Sequence, residues 1–326
     1  MTYRMPAEWA QHERVWVGFP WNGSEWPVGL AAAQEQVAAF ANAVRDGGEG
    51  EAVYLIAGSE EAAARAKALT ETGIHVQQRK IGDCWLRDTG CITVFQDGNR
   101  FARNFGFNGW GGRYLMPGDQ SIGTELAEDA ALPVLDTHWI LEGGAIDVDG
   151  SGLAVTTEEC LLNPNRNPGL SREDIEAKLL HELGIERLLW LSKGLLGDHT
   201  DGHVDNLARF VAPGHLVLPE PSGSDDPNAE IYADAKSRAE AFGLQTTSLP
   251  SVGRYMLDGE VAPASYMNFY TGNTAVVVPT YDMKNDDKAV AKLQELFPDK
   301  RVIGLPSGGL LRGGGSFHCC SQQVPE

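Results

Sequence analysis

The chain has no apolar run approaching the roughly 20 residues that a membrane helix needs. Its opening stretch, Met1 to Trp16, holds neither an apolar core of signal-peptide length nor a small-residue cleavage site. Both absences predict a cytoplasmic protein that crosses no membrane. Cysteine is scarce: Cys84, Cys91, Cys160, Cys319 and Cys320 are all there are. An odd count with an adjacent pair and no secretory signal is a poor disulfide framework, so reduced thiols are expected. No CxxC and no paired Cys/His spacing occurs, which argues against a structural zinc site. No GxGxxG follows a strand-like run and no Walker lysine loop is present, so nucleotide binding gains no support. Basic residues are also in short supply. Lys and Arg total 26 against 45 acids, a net charge of −19. That field disfavours nucleic acid and anionic lipid as partners and draws in cationic small molecules, although solubility alone explains the same charge.

What is present is an ordinary globular chain of 326 residues, 42% hydrophobic and 22% charged, long enough to bury a core. Short strand-like runs recur at Val15 to Phe19, Val53 to Ala57, Cys91 to Phe95, Leu153 to Thr157, His215 to Leu218 and Thr274 to Val278. Helix-like stretches alternate with them: Ala31 to Val44, Glu60 to Leu69, Arg172 to Leu183, Asn228 to Phe242 and Asp287 to Leu296. Ser171 with Asp174 three residues on reads as an N-cap. Runs near Thr93, Ala154, Val217 and Val276 are spaced by roughly sixty residues, the signature of a repeated unit of two or three strands and a helix. A doubly wound parallel sheet is the competing α/β architecture. The Ser/Gly/Pro-rich stretch at Pro219 to Pro227 is loop rather than linker, so one domain spanning 1–326 is expected.

Three segments carry chemistry. In LRGGGSFHCCSQQ, Gly313 to Gly315 permit close backbone approach to a ligand, and His318, Cys319 and Cys320 follow. An extended chain would turn Cys319 to one face and His318 and Cys320 to the other, so a base for Cys319 must come from elsewhere. An inert core cysteine is the competing reading. In GDHTDGHVDN, extended backbone would align Asp201, His203 and Asp205 on one face, suited either to a divalent metal or to an imidazole acid/base flanked by carboxylates. A polar loop turning at Gly202 is the bland alternative. In DCWLRDTG, Trp85 offers a face to a cation and Asp88 can accept two parallel N–H bonds from a guanidinium, unless Arg87 and Asp88 form no more than a surface ion pair. Trp110 in NFGFNGWGG, Glu142 in ILEGGAIDVDG and Asn268 in ASYMNFY lie in similar settings and mean little singly.

Together these segments resemble the agmatine deiminases of the guanidino-group-modifying (pentein) superfamily, which includes the bacterial peptidylarginine deiminases. The resemblance runs in order from MPAEWAQHE through WLRDTG, FNGWGG, LEGG, TTEECLLNPNRNP and TDGHVDN to GGGSFHCCSQQ, nearly the whole chain. It implies a pentein α/β propeller, five ββαβ-type modules around a pseudo-fivefold axis. It also implies a guanidine deiminase, converting agmatine and water to N-carbamoylputrescine and ammonia, as in polyamine biosynthesis. Cys319 would be the nucleophile, His203 the acid/base, and Asp88 and Asp205 the guanidinium ligands. Trp85, Trp110, Glu142 and Asn268 would line or support the substrate pocket. No metal and no other cofactor is implied; a homo-oligomer is implied by analogy only. The chain departs from the family pattern at His199, commonly acidic; at Cys320, usually aliphatic; at Ser316, usually asparagine; and in ending soon after Gln323.

Two other readings stay open. Arginine, peptidyl arginine or another small guanidine could replace agmatine. A metal-dependent amidohydrolase built on Asp201, His203 and Asp205 is the alternative from another class.

Overall fold

The computed structural model describes residues 3–326. Four sheets share one plan: a strand, an antiparallel neighbour, a helix, and a third strand parallel to the second. They comprise Ile92–Gln96, Asn99–Gly106 and Val134–Ile140; Ile146–Val148, Leu153–Thr157 and Arg187–Leu191; Arg209–Ala212, His215–Glu220 and Gln245–Pro250; and Tyr270–Thr271, Ala275–Thr280 and Arg301–Pro306. The fifth is built from both chain ends. Ser321–Pro325 runs antiparallel to His12–Phe19, which pairs in parallel with Ala52–Ala57 and, beyond it, His75–Gln78. The strand that ends the chain therefore closes the ring of modules and fixes the turn before it, which carries Cys319.

Local chemistry explains most element boundaries. Leu153–Thr157 is buried throughout, as a strand covered on both faces must be. Helix Leu30–Arg45 buries Ala33, Val37, Phe40, Ala41 and Val44 at helical spacing, against Val53 and Leu55 of the closing sheet. Full burial of each such valine or leucine contributes about 1.5–3 kcal/mol. Helix Arg172–Leu183 starts with the capping box expected at Ser171 and Asp174 and ends on Gly184 at φ 71°.

The repeat spacing read from the sequence mixed two positions of the module. Leu153–Thr157, His215–Glu220 and Ala275–Thr280 are second strands, whereas Ile92–Gln96 is a first strand. Its partner Asn99–Gly106 follows a two-residue Asp97-Gly98 turn, both at positive φ, the geometry that matches strand twist in a hairpin. Helix Ile122–Asp129 was also unforeseen.

One buried charge network ties the modules together. Arg209, 1% exposed, pairs with Glu8 at 2.9 Å and Asp147 at 3.2 Å, and donates to the carbonyls of Met267 and Phe269 at 3.2 and 2.7 Å. Glu8 also meets Arg87 at 3.4 Å and His318 Nε2 at 2.7 Å. Removing one partner of such a network strands the others in low dielectric. Arg209→Met is expected to lower unfolding free energy by about 3–5 kcal/mol, read as a lower denaturant midpoint at constant slope; a loss under about 1 kcal/mol would contradict this role.

Candidate active site

Cys319 lies in the turn that precedes Ser321–Pro325, not in an extended strand. The alternation expected for His318 and Cys319 therefore fails. His318 does not point away from the thiol's surroundings: its Nδ1 meets Asp205 Oδ2 at 2.7 Å, and the same oxygen lies 3.5 Å from Cys319 Sγ. Its Nε2 is held by Glu8, so both ring nitrogens face carboxylates and neither faces the sulfur. Asn268 braces the turn. Its Oδ1 accepts the backbone N–H groups of His318 and Cys319, at 3.1 and 3.2 Å, and its Nδ2 lies 3.0 Å from Cys319 Sγ and 3.2 Å from Asp205 Oδ2.

The GDHTDGHVDN segment is likewise folded back. Asp201 sits at φ 63°, Gly202 at φ 79°, and residues Val204–Asn206 form a single 3-10 turn. Asp201 consequently leaves the face shared by His203 and Asp205. Its carboxylate is taken by Arg113 at 2.5 Å, by Asn165 at 2.9 Å and by Arg166. Among the described residues, Asp201, His203 and Asp205 do not form a group able to ligate one ion. The metal-hydrolase arrangement read from extended backbone is therefore not built.

What the fold does assemble is a convergence of Asp88, from one module, with His203 and Asp205, from another, around Gly144 of the module between them. A Cβ placed on Gly144 would stand 2.6 Å from His203 Nδ1, 3.0 Å from Asp88 Oδ1 and 3.1 Å from Asp205 Oδ2. Only glycine leaves that space open. Gly144 also donates its N–H to Asp88 Oδ1 at 3.0 Å, while Trp110 Nε1 donates to Asp88 Oδ2 at 2.9 Å. Trp110 reaches it from φ 51°, a strained value for a bulky residue, inside a tight glycine-rich turn. Arg87, by contrast, turns away from Asp88 to Gln323 and Glu8, so no surface ion pair forms.

A cavity of about 150 Å³ opens onto Asp88, Trp85, Trp110 and Cys319. Trp85 stacks on Trp26, centroids 6.0 Å apart, and Asp83 accepts from both indoles, at 2.9 and 3.1 Å. The glycine run packs against this pair: a Cβ on Gly315 would meet Trp85 at 2.7 Å and Cys319 Sγ at 3.1 Å. His203, Asp205, Glu142 and Asn268 do not line the cavity; Glu142 stands behind His203, and Asn268 behind Cys319. Glu142 is held by Arg166 Nε at 2.7 Å. The roles of Gly144 and Arg166 went unseen in the sequence, though LEGG and NPNRNP were both conspicuous there.

The electrostatics follow from burial. Burial, then the negative charges of Asp205 and Asp88, pushes the Cys319 thiol well above its usual range. Burial works against a charged His203, but Asp88 at 3.7 Å and the neighbouring Cys160 outweigh it and raise the imidazole well above the ordinary value. Burial also raises Asp88, opposed by His203. Burial pushes Asp205 up too, yet the bond and charge of His318 hold it below the usual carboxylate range. In the free site these effects favour a neutral thiol at Cys319, an imidazolium at His203 and a carboxylate at Asp205, and disfavour ionisation of Asp88. Asp205 Oδ1 and both ring nitrogens of His203 have no hydrogen-bond partner, although all are buried.

The family described as Porphyromonas-type peptidyl-arginine deiminase matches residues 4–325. The chain is 36% identical to an agmatine deiminase of Stutzerimonas stutzeri, covering 99% of this chain and 95% of that one. It superposes on a solved agmatine deiminase of Enterococcus faecalis with TM-score 0.92 and 31% identity, covering 99% and 96% of the two chains. A C. jejuni agmatine deiminase bearing a cysteine-to-serine substitution, with substrate bound, gives TM-score 0.92 at 27% identity and the same coverage.

Alkylation of the free protein tests the electrostatics. Iodoacetamide modification of Cys319, followed by mass spectrometry, is expected to keep rising with pH beyond the ordinary thiol range near pH ~8.5. Asp88→Asn removes one of the charges opposing the thiolate and shifts that profile to lower pH; an unmoved profile would contradict the assignment.

Proposed function

We propose that the chain, which belongs to the Porphyromonas-type peptidyl-arginine deiminase family, hydrolyses agmatine to N-carbamoylputrescine and ammonia through a covalent Cys319 intermediate, as a single catalytic domain. The observation that carries this reading is the buried Asp205 carboxylate, its Oδ1 unpartnered and its Oδ2 3.5 Å from the Cys319 sulfur, gathered with Asp88 and His203 around Gly144. A planar cation with N–H groups along its edges satisfies both carboxylates with charge-assisted bonds and presents its central carbon to sulfur.

Substrate binding also removes the obstacle to nucleophile formation. Burial, then the charges of Asp205 and Asp88, hold the thiol protonated; a bound guanidinium offsets those charges and sets a cation beside the sulfur, so the thiol proton leaves to solvent. The thiolate attacks the central carbon and gives a neutral tetrahedral adduct. Imidazolium His203 donates its proton to one amino group, ammonia departs, and a cationic amidino-thioether remains. Neutral His203 then takes a proton from water as its oxygen attacks the same carbon. Collapse breaks the carbon–sulfur bond, the hydroxyl proton returns to the departing Cys319 sulfur, and the neutral ureido product is released. Trp110 and Gly144 hold Asp88, Asn268 holds the Cys319 turn, and His318 fixes Asp205. No step requires a metal or an organic cofactor.

The far end of the substrate meets the cavity mouth at Glu25, Tyr114, His199 and Arg312. Arg312 is already paired with Asp258 at 3.0 Å, and His199 stacks on Tyr114. Glu25 makes no ion pair among the described residues. A free carboxylate opposite a neutralised guanidinium favours the amine of agmatine over the carboxylate of arginine. Among the described residues no helix is long and apolar enough to cross a membrane.

Incubation of the purified protein with agmatine, arginine and an arginine-containing peptide, with ureido product and ammonia measured, tests the reading. Turnover of agmatine foremost is expected, and Glu25→Gln should raise the agmatine KM about two- to fivefold with kcat unchanged, as suits an exposed pair. No product from any guanidine would overturn the proposal; preference for arginine would overturn the assignment of Glu25.

A further inference from the structure

A second cleft, of about 640 Å³, lies between strand Val134–Ile140 and the end of helix Arg172–Leu183, and it shares no lining residue with the cavity at Cys319. Arg103 stands on its wall. Four arginines are less than a tenth exposed: Arg87, Arg103, Arg166 and Arg209. Three of them pair with carboxylates, Arg87 and Arg209 with Glu8 and Arg166 with Glu142. Arg103 pairs with none among the described residues, although the chain holds 45 acids. Its Nε donates to the Glu182 carbonyl at 3.2 Å, and its flat face covers the Tyr3 ring, 4.2 Å from the centroid. The edge that carries both Nη nitrogens donates to no described residue and borders the cleft. A guanidinium so enclosed without a counter-charge is destabilising.

We infer that this cleft binds a small oxyanion, a carboxylate or a phosphate, on the Nη edge of Arg103. Two parallel N–H groups in a planar fork match two oxygens of either group. Two more donors on the same wall have no partner to keep them from such a ligand. The Lys178 ammonium, 5.9 Å over the Trp139 ring, makes no ion pair among the described residues, and the Thr137 hydroxyl is buried without a hydrogen bond. The acids of the cleft are engaged elsewhere: Asp136 accepts from Asn104 Nδ2 and Glu182 from Trp139 Nε1, each at 2.9 Å. Their charge disfavours a polyanion, so a ligand of one or two negative charges fits best. Trp139, Ile140 and Leu170 supply apolar surface for its body. Binding is non-covalent, and it is independent of the reaction proposed at Cys319.

Calorimetric titration of the full chain at low ionic strength, with butyrate and separately with inorganic phosphate, tests the site. Saturable binding of one anion per chain is expected, and the tighter of the two names the ligand as carboxylate or phosphate. Arg103→Met should weaken that binding at least about tenfold, through loss of a charge-assisted pair of bonds. Arg103→Lys keeps the charge without the fork, serves if the methionine variant does not fold, and should weaken binding at least about threefold. Lys178→Gln, at a partly exposed position, should weaken it about two- to fivefold. Saturable binding of neither anion, or an affinity unchanged in the Arg103 variants, would overturn the site. An affinity unchanged in Lys178→Gln would overturn the part given to that lysine.

Discussion

Asp205 Oδ2 accepts a 2.7 Å bond from His318 Nδ1, takes another from Asn268 Nδ2 at 3.2 Å, and lies 3.5 Å from the Cys319 sulfur. The geometry around Cys319 depends on that one oxygen. His318 is anchored at its other nitrogen to Glu8, and Glu8 to Arg209, so the position of the nucleophile is tied to the charge network between modules. Oδ2 also borders the space that Gly144 keeps open, while the second oxygen of Asp205 is left buried and unpartnered. A buried acceptor without a donor is costly, and a ligand that brings N–H groups and positive charge recovers the cost.

The repeated module explains how such a site is gathered from distant sequence. Asp88 precedes the first strand of one sheet, Gly144 that of the next, and His203 and Asp205 that of the third. Asn268 stands just before the fourth sheet, and Cys319 just before the strand that closes the ring. The same structural position, the entry to a module, supplies a functional group each time. Close packing of these entries is why the glycines of LEGG and GGGS are required by space rather than by turn conformation at Gly144 and Gly315.

The buried second strands and the long helices were legible because their patterns are local: Leu153–Thr157, Glu60–Leu69 and Arg172–Leu183 have the bounds read from periodicity. Asn99–Gly106 was not, since its arginines and asparagines hide a strand that only the Asp97-Gly98 turn betrays. The family resemblance brought Cys319, His203, Asp88 and Asp205 together, whereas the alternation argument did not. Extended backbone was assumed at 200–206 and 316–320, and positive φ at Asp201 and Gly202 and a turn before Ser321 bend both segments. Arg166 could not be foreseen from spacing, because its partners Glu142 and Asp201 meet it only through tertiary packing.

The central claim is that sulfur of Cys319 bonds to the guanidinium carbon while ammonia leaves. Acid quenching during turnover of agmatine, digestion and mass spectrometry of the peptide containing Cys319 and Cys320 test it most directly. The account predicts an amidino adduct on Cys319 that appears before the ureido product and decays with it. Product formed with no adduct, or with the adduct on Cys320, would contradict it.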